Sequence, residues 1–267
     1  MVNEKETKFE RIEALLKRLD DDFSSSEVAT WALKSQASEA ELDAIISFLE
    51  AIDNKENEAS VRSLKKRSGL PKHDEKSFEN FDTSCLTKEG IEALNSLKTL
   101  SSLTAKKNVI LVGNVGNGKT HIAEAIGYKC CEARNATYFI TANEFKSKVE
   151  RATKLGTKTN LIKNLARYTC LIIDEVGHDT FNKIETQVLF QVVNSFEIKD
   201  KGSIVITTNK DLDKWDEFFE DKDSLENLLD KLEDKAICLH FTGSSYRGKE
   251  RKVVKMNKEN VVLSLGN

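Results

Sequence analysis

"GNVGNGKTH", residues 113–121, decides how the rest of the chain is read. It follows the apolar run "NVILV" (108–112) and opens the helix-like stretch "IAEAIGYKCCEA". Gly113, Gly118, Lys119 and Thr120 satisfy the spacing G-x-x-x-x-G-K-T, in the strand–loop–helix context that the spacing requires. Glycine lets the backbone curl until several N–H groups point at one anion. The start of the following helix adds partial positive charge. Residues Gly113, Asn114, Val115, Gly116, Asn117, Gly118, Lys119 and Thr120 are therefore expected to cradle the triphosphate of ATP. Lys119 would reach the β- and γ-phosphates, and the Thr120 hydroxyl would hold Mg²⁺.

Two further strand ends agree with this. "CLIIDE" (170–175) ends a buried strand on two carboxylates. Asp174 is expected to hold Mg²⁺ together with Thr120. Glu175 is expected to orient and deprotonate the water that attacks the γ-phosphate. "IVITTN" (204–209) ends on Asn209, which is placed to touch the γ-phosphate or that water.

The five strand candidates are 108–112, 137–141, 170–174, 203–208 and 236–241, with helices between them at 120–132, 142–152 and 181–197. Continuous apolar strands alternating with helices predict an α/β fold, a parallel sheet covered on both faces. The first seventy residues read instead as helices. Phe9, Ile12, Leu16 and Leu19 form one stripe. Ser38 and Glu41 fit a capping box ahead of a second, Leu42, Ile45, Ile46, Leu49 and Ile52. Gly69 and Pro71 should end that helix. The predicted division is a helical N-terminal domain at 1–72, for partner or DNA contact, and a nucleotide-binding domain at 73–267.

The chain has 267 residues, 39% hydrophobic and 32% charged, with a net charge of −3. That balance offers no global attraction to nucleic acid, although "SLKKRSGLPK" and "SYRGKERKVVK" are locally basic. No apolar stretch approaches the ~20 residues needed to cross a membrane. The start has no apolar signal region, so a cytoplasmic location is expected. Cys85, Cys130, Cys131, Cys170 and Cys238 are scattered and contain no C-x-x-C pair, which predicts reduced thiols and no zinc site.

Strand ends carrying GKT, DE and N resemble the AAA+ ATPases. Residues 48–247 resemble, more narrowly, the IstB-like transposition helper proteins and the related DnaC-type helicase loaders. The features are the helix exit "SVRSLKKRSGLP", the lead-in "SFENFD" with Phe78, Phe81 and Asp82, the loop ending in His121, "LIIDEVG", "LFQVVNSFE", "ITTNKDLDKW" with Trp215, and "GSSYR". The resemblance implies an AAA+ P-loop fold and adds His121 to the nucleotide-binding loop. It implies a sensor role for Arg247, the arginine of Ser245-Tyr246-Arg247. It also implies that Lys231 stands where the family has a finger arginine reaching a neighbour's γ-phosphate. Lysine keeps the charge but loses the planar fork. Ser195-Phe196-Glu197 replaces a second family motif, Arg-Tyr-Glu. Both departures imply slow, weakly stimulated hydrolysis.

Three functions follow from the resemblance. The first is an ATPase that forms ATP-dependent homo-oligomers on DNA, duplex in preference to single-stranded, and assists a transposase. The second is a loader that grips a replicative DNA helicase in DNA replication. The third is a nucleotide-dependent interaction module that barely hydrolyses ATP. In the first, Lys146, Lys148, Arg151, Lys154 and Lys158 are candidate DNA contacts.

Overall fold

The computed structural model describes residues 4–19, 24–72, 76–83, 86–200 and 202–242. Three helices come first: α1 (Glu4–Arg18), α2 (Ser25–Lys34) and α3 (Glu39–Arg67). The predicted capping box is present. The Ser38 side chain accepts from the Glu41 N–H, and the Glu41 carboxylate accepts from the Ser38 N–H. Ser24 and Glu27 make the same arrangement at α2. Ile12, Val28, Ala32 and Leu42 form a small core of their own, flanked by Phe9, Leu16, Ile45, Ile46 and Leu49. This is what the two apolar stripes required.

The helical segment ends against the sheet. Ser68 caps α3, and its carbonyl accepts a 2.6 Å hydrogen bond from the Phe139 N–H. Gly69 sits at φ +75, where a Cβ would lie 2.5 Å from the Phe139 carbonyl oxygen. The chain can pass this close to the sheet edge only without a side chain. Leu70 then enters the core under the sheet.

Beyond it lie α4 (Lys88–Lys98), the short α5 (Ser101–Thr104), β1 (Val109–Gly113), α6 (Lys119–Glu132), β2 (Thr137–Thr141), α7 (Ala142–Lys154), α8 (Lys158–Leu165), β3 (Cys170–Val176), α9 (Lys183–Lys199), β4 (Ser203–Thr208), a 3-10 turn (Leu212–Glu217), α10 (Lys222–Glu233) and β5 (Ile237–Phe241). The five strands form one parallel sheet in the order β2-β3-β4-β1-β5. All five predicted strands are present, and the parallel α/β architecture is the one expected.

Side chains alternate between two cores. Ile110, Val112, Leu171, Ile173, Ile204 and Ile206 face α7, α9 and α10, with Phe145, Trp215 and Leu228. Val109, Leu111, Ile172 and Val205 face α6, with Ile122, Ala123 and Ile126. A strand buried on both faces needs an unbroken apolar run, so these segments do not alternate in polarity.

Element boundaries moved where side chains replaced backbone. Asn108 precedes β1, and its amide donates to the carbonyls of Lys231 and Leu232 while accepting from the Ile204 N–H. α9 starts at Lys183, two residues later than expected, because Asn182 caps it with its own side chain. Phe181 is instead buried and stacked on Phe219, 4.6 Å between ring centres. Cys130, Cys131 and Cys170 are buried free thiols, and Cys238 is exposed and free. No described helix is long and apolar enough to cross a membrane.

Candidate nucleotide-binding and catalytic site

The C-terminal ends of β1, β3 and β4 meet on one side of the sheet. A cleft of about 170 Å³ opens there, lined by Val115, Gly116, Lys119, Thr120, Glu175, His178, Thr207, Thr208 and Asn209. Ligands bind at the carboxyl ends of parallel strands because helix N-termini and strand-end loops converge there. The lining brings together residues from all three predicted strand-end motifs.

The loop takes its shape from glycine. Gly113, Gly116 and Gly118 all have positive φ, at +153, +85 and +90. A Cβ on Gly118 would lie 2.6 Å from the Phe81 ring, and one on Gly113 would lie 2.5 Å from the Phe241 carbonyl oxygen. Any side chain at either position would push the loop off its supports. Lys119 opens α6, and its ammonium donates to the carbonyls of Gly113 and Asn114 at 2.6 and 2.8 Å. The charge is thus held inside the ring of the loop, where a phosphate chain would also be encircled.

Not every residue of the motif faces the cleft. Val115, on the cleft rim, is the exposed tip, and two others turn away. The Asn117 side chain is buried and donates to the Phe241 carbonyl, tying the loop to β5. The His121 ring pairs through Nε2 with the Ser77 carbonyl at 2.8 Å and lies 5.6 Å from the Phe81 ring. His121 therefore braces the lead-in segment and is not part of the cleft lining, since each residue along α6 turns the side chain by about 100° and His121 is carried off the face of Lys119 and Thr120.

Thr120 and Asp174 meet across the cleft floor, with the hydroxyl 3.1 Å from each carboxylate oxygen. These are hard oxygen donors of the kind that suit Mg²⁺. Burial pushes the Asp174 carboxyl above the ordinary carboxylate range, against the downward pull of hydrogen bonds from Thr207 and Thr120. The neighbouring Glu175 charge adds to the upward push. Glu124, one turn beyond Thr120, is also buried. Its carboxyl is raised by burial and by the Asp174 charge.

An acid whose pKa is raised by folding binds its proton more tightly when folded. Its contribution to stability is therefore most favourable at low pH and is lost as pH rises through the shifted value. Above that value the ionised, buried Asp174 opposes folding. Asp174→Asn is accordingly expected to stabilise the ligand-free protein by about 0.5–2 kcal/mol, the common scale of a single stabilising substitution. Thermal melts of parent and variant at pH 7 check this, and a lowered melting temperature would contradict it.

Glu175 is set apart by its backbone. Its φ is +63, in the left-handed region, where a non-glycine residue carries a strain of order 1–3 kcal/mol. β3 pairs Ile173 with Ile206 and next Val176 with Thr208, so Asp174 and Glu175 together oppose Thr207 alone. This is a β-bulge. The extra residue inverts the side-chain alternation. Val176 returns to the face of Ile173 and is fully buried, while Glu175 is exposed at the cleft. The Thr207 hydroxyl sits opposite the bulge. It accepts from the Glu175 N–H at 2.9 Å and donates to Asp174 Oδ1.

Thr207, Thr208 and His178 are cleft residues that the motif reading passed over. A usable signal existed for the first two, since two hydroxyl residues end an otherwise apolar strand. None existed for His178, which follows a turn at Gly177 (φ +90).

Lys231 lies elsewhere. It pairs with Glu197 at the C-terminal end of α9, and its carbonyl is held by Asn108, ahead of β1. Within one chain it is at the opposite end of the sheet from Lys119, about 16 Å away for a five-residue strand. Its pairing partner is the glutamate of Ser195-Phe196-Glu197. Arg247 lies outside the described residues.

A P-loop at the end of β1, two carboxylates at the end of β3 and an asparagine at the end of β4, on a parallel sheet in this order, define an AAA+ P-loop NTPase. The chain matches the family of IstB-like ATP binding proteins over residues 18–254 and belongs to it. It is 30% identical over 209 residues to an ATP-binding protein of insertion sequence IS5376 from Geobacillus stearothermophilus, covering 78% of this chain and 82% of that one. It is 29% identical over 244 residues to its counterpart in insertion sequence IS21 from Pseudomonas aeruginosa, covering 90% of both.

Solved structures agree on the fold. AMPPCP-bound DnaA from Aquifex aeolicus aligns with a TM-score of 0.53 at 20% identity, over 63% of this chain and 50% of DnaA. The chain thus spans half the length of the DnaA it matches. DnaI aligns with a TM-score of 0.52 at 17% identity, over 64% of this chain and 90% of DnaI.

Proposed function

We propose that this protein binds and hydrolyses ATP with Mg²⁺, and that ATP controls its assembly on duplex DNA, where it assists the transposase of an insertion sequence. The observation that carries the hydrolytic part is the cleft itself. A buried lysine, a Thr120–Asp174 pair and an exposed glutamate on a bulge converge within it.

The chemistry follows from the positions. Lys119 neutralises phosphate charge, and the loop amides orient the chain. Thr120 and Asp174 would hold Mg²⁺, which when bound spreads the negative charge of the phosphates. Glu175 accepts a proton from water as the water oxygen bonds to the γ-phosphorus. The bond from that phosphorus to the bridging oxygen breaks, and the electron pair leaves on ADP. Asn209, at the cleft wall, is placed to orient the water or the γ-phosphate.

Membership of a family whose relatives belong to insertion sequences supports the transposition reading. A basic face supports the DNA reading. Lys148, Arg151, Lys158 and Lys163, on α7 and α8, are exposed and have no ion pair among the described residues. Lys154 pairs with Glu150, and Lys146 lies over the Phe181 ring, so these two contribute less. We further propose that the helices before residue 72 form a separate module for partner contact.

The test is fluorescence anisotropy with duplex and single-stranded DNA of equal length, with and without Mg-ATP. ATP-dependent binding that favours duplex and weakens steeply with salt is the expected result. Preference for single strands would replace the transposase with a helicase-loading role. No binding to either would remove DNA from the proposal.

A further inference from the structure

We infer that Thr207 is a positioning residue for both carboxylates, its hydroxyl holding Asp174 and Glu175 in the bulged geometry that hydrolysis uses; this rests on the hydrolytic reading above. Thr207 is 1% exposed and sits on a central strand, between β1 and β3. Its hydroxyl has one proton and two lone pairs. The proton goes to Asp174 Oδ1, and a lone pair receives the Glu175 N–H. One side chain thus fixes the carboxylate of one residue and the backbone of the next.

The bulge explains why the second bond matters. In an unbroken parallel ladder the Glu175 side chain would fall on the face of Ile173, among α7, α9 and α10. With two residues opposite one, Glu175 has no ladder partner of its own. The Thr207 oxygen receives its N–H instead, and the left-handed conformation that turns the side chain to the cleft is held in place. Thr120 also contacts Asp174, but its hydroxyl belongs to the nucleotide loop and is needed there. Thr207 belongs to the sheet and keeps Asp174 oriented whatever the loop does.

Thr208 is not a substitute. Its hydroxyl is engaged with the Lys210 N–H and carbonyl, shaping the turn that carries Asn209.

The experiment compares Thr207→Val, Thr207→Ser, Glu175→Gln and the parent. ATP binding is measured by calorimetry in EDTA and in Mg²⁺, and turnover is measured by phosphate release. Valine keeps the shape and removes both hydrogen bonds, whereas serine keeps the hydroxyl. Thr207→Val should bind ATP in EDTA like the parent but lose about 10- to 100-fold of the Mg²⁺-dependent gain in affinity and a similar factor in kcat, the usual effect of removing a residue that orients a metal ligand. Thr207→Ser should recover most of both.

Thr207→Val matching the parent in both readouts would overturn the inference. So would Thr207→Ser failing as valine does, or valine losing ATP binding in EDTA, since either marks a packing role. The hydrolytic reading fails separately, by Glu175→Gln turning over like the parent or by a parent that does not turn over. The Mg²⁺ step of the calorimetry then still decides the role of Thr207.

Discussion

Lys119→Ala is expected to abolish measurable ATP binding. Lys119 is the one lysine or arginine buried among the described residues, at 9% exposure. Its ammonium already satisfies two loop carbonyls, from Gly113 and Asn114. A triphosphate brings several negative charges into the same ring, and the buried ammonium is the charge that offsets them. A hydrogen bond to a charged group contributes about 1.5–3 kcal/mol, so losing two phosphate contacts weakens binding by roughly 100- to 10,000-fold. Alanine also leaves the loop carbonyls facing one another without a cation, which loosens the cradle. Calorimetry or a fluorescent ATP analogue measures the loss, and a circular dichroism melt checks that the fold survives. An affinity within tenfold of the parent would show that the loop is not the phosphate site.

Glu175→Gln is expected to separate binding from turnover. Glutamine keeps the length and shape of the side chain and its place on the bulge. It cannot take a proton from water. General-base catalysis contributes about 10²- to 10⁴-fold, so phosphate release should fall by that factor. ATP affinity should stay within a few-fold of the parent, because Glu175 is exposed and its proposed work is on the water, not on holding the phosphates. If ATP drives assembly, the variant should accumulate the assembled, ATP-bound form. That form is visible by light scattering. A variant that hydrolyses ATP as fast as the parent would remove Glu175 from the role of base.

The placement of Lys231 bears on the rate of that reaction. Its ammonium is held by Glu197 of the same chain, at the far end of the sheet from the phosphate loop. A finger reaching a neighbouring copy would have to leave that pair. An exposed pair of this kind is worth little, about 0–1 kcal/mol, so it does not forbid the movement. Lys231 thus pairs with Glu197, the residue that Ser195-Phe196-Glu197 keeps in common with the family's Arg-Tyr-Glu.

Much of the site was legible because phosphate chemistry needs particular residues at close spacing along the chain. Gly113, Gly118, Lys119 and Thr120 lie within eight positions, and the physics of that loop is local. Asp174 and Asn209 were legible because a buried strand that ends on a polar residue must present it at the sheet edge. The capping box at Ser38 and Glu41 and the helix stop at Gly69 and Pro71 were legible for the same reason, each being settled within one turn of chain.

The sequence alone determined the five strands, the helices that join β1 to β2, β2 to β3 and β3 to β4 in outline, the parallel pairing and the glycine-rich loop after β1, since each depends on residues close in sequence. Only the tertiary structure decided the rest. It placed β4 between β1 and β3, which brings Thr207 beside Asp174 although 33 residues separate them. It inserted the bulge that turns Glu175 outward and Val176 inward, a change of one residue in register that no pattern of polarity announces. It turned His121 onto Ser77 and joined Lys231 to Glu197. Contacts of that kind arise from the order in which strands pack, and strand order is a property of the whole sheet.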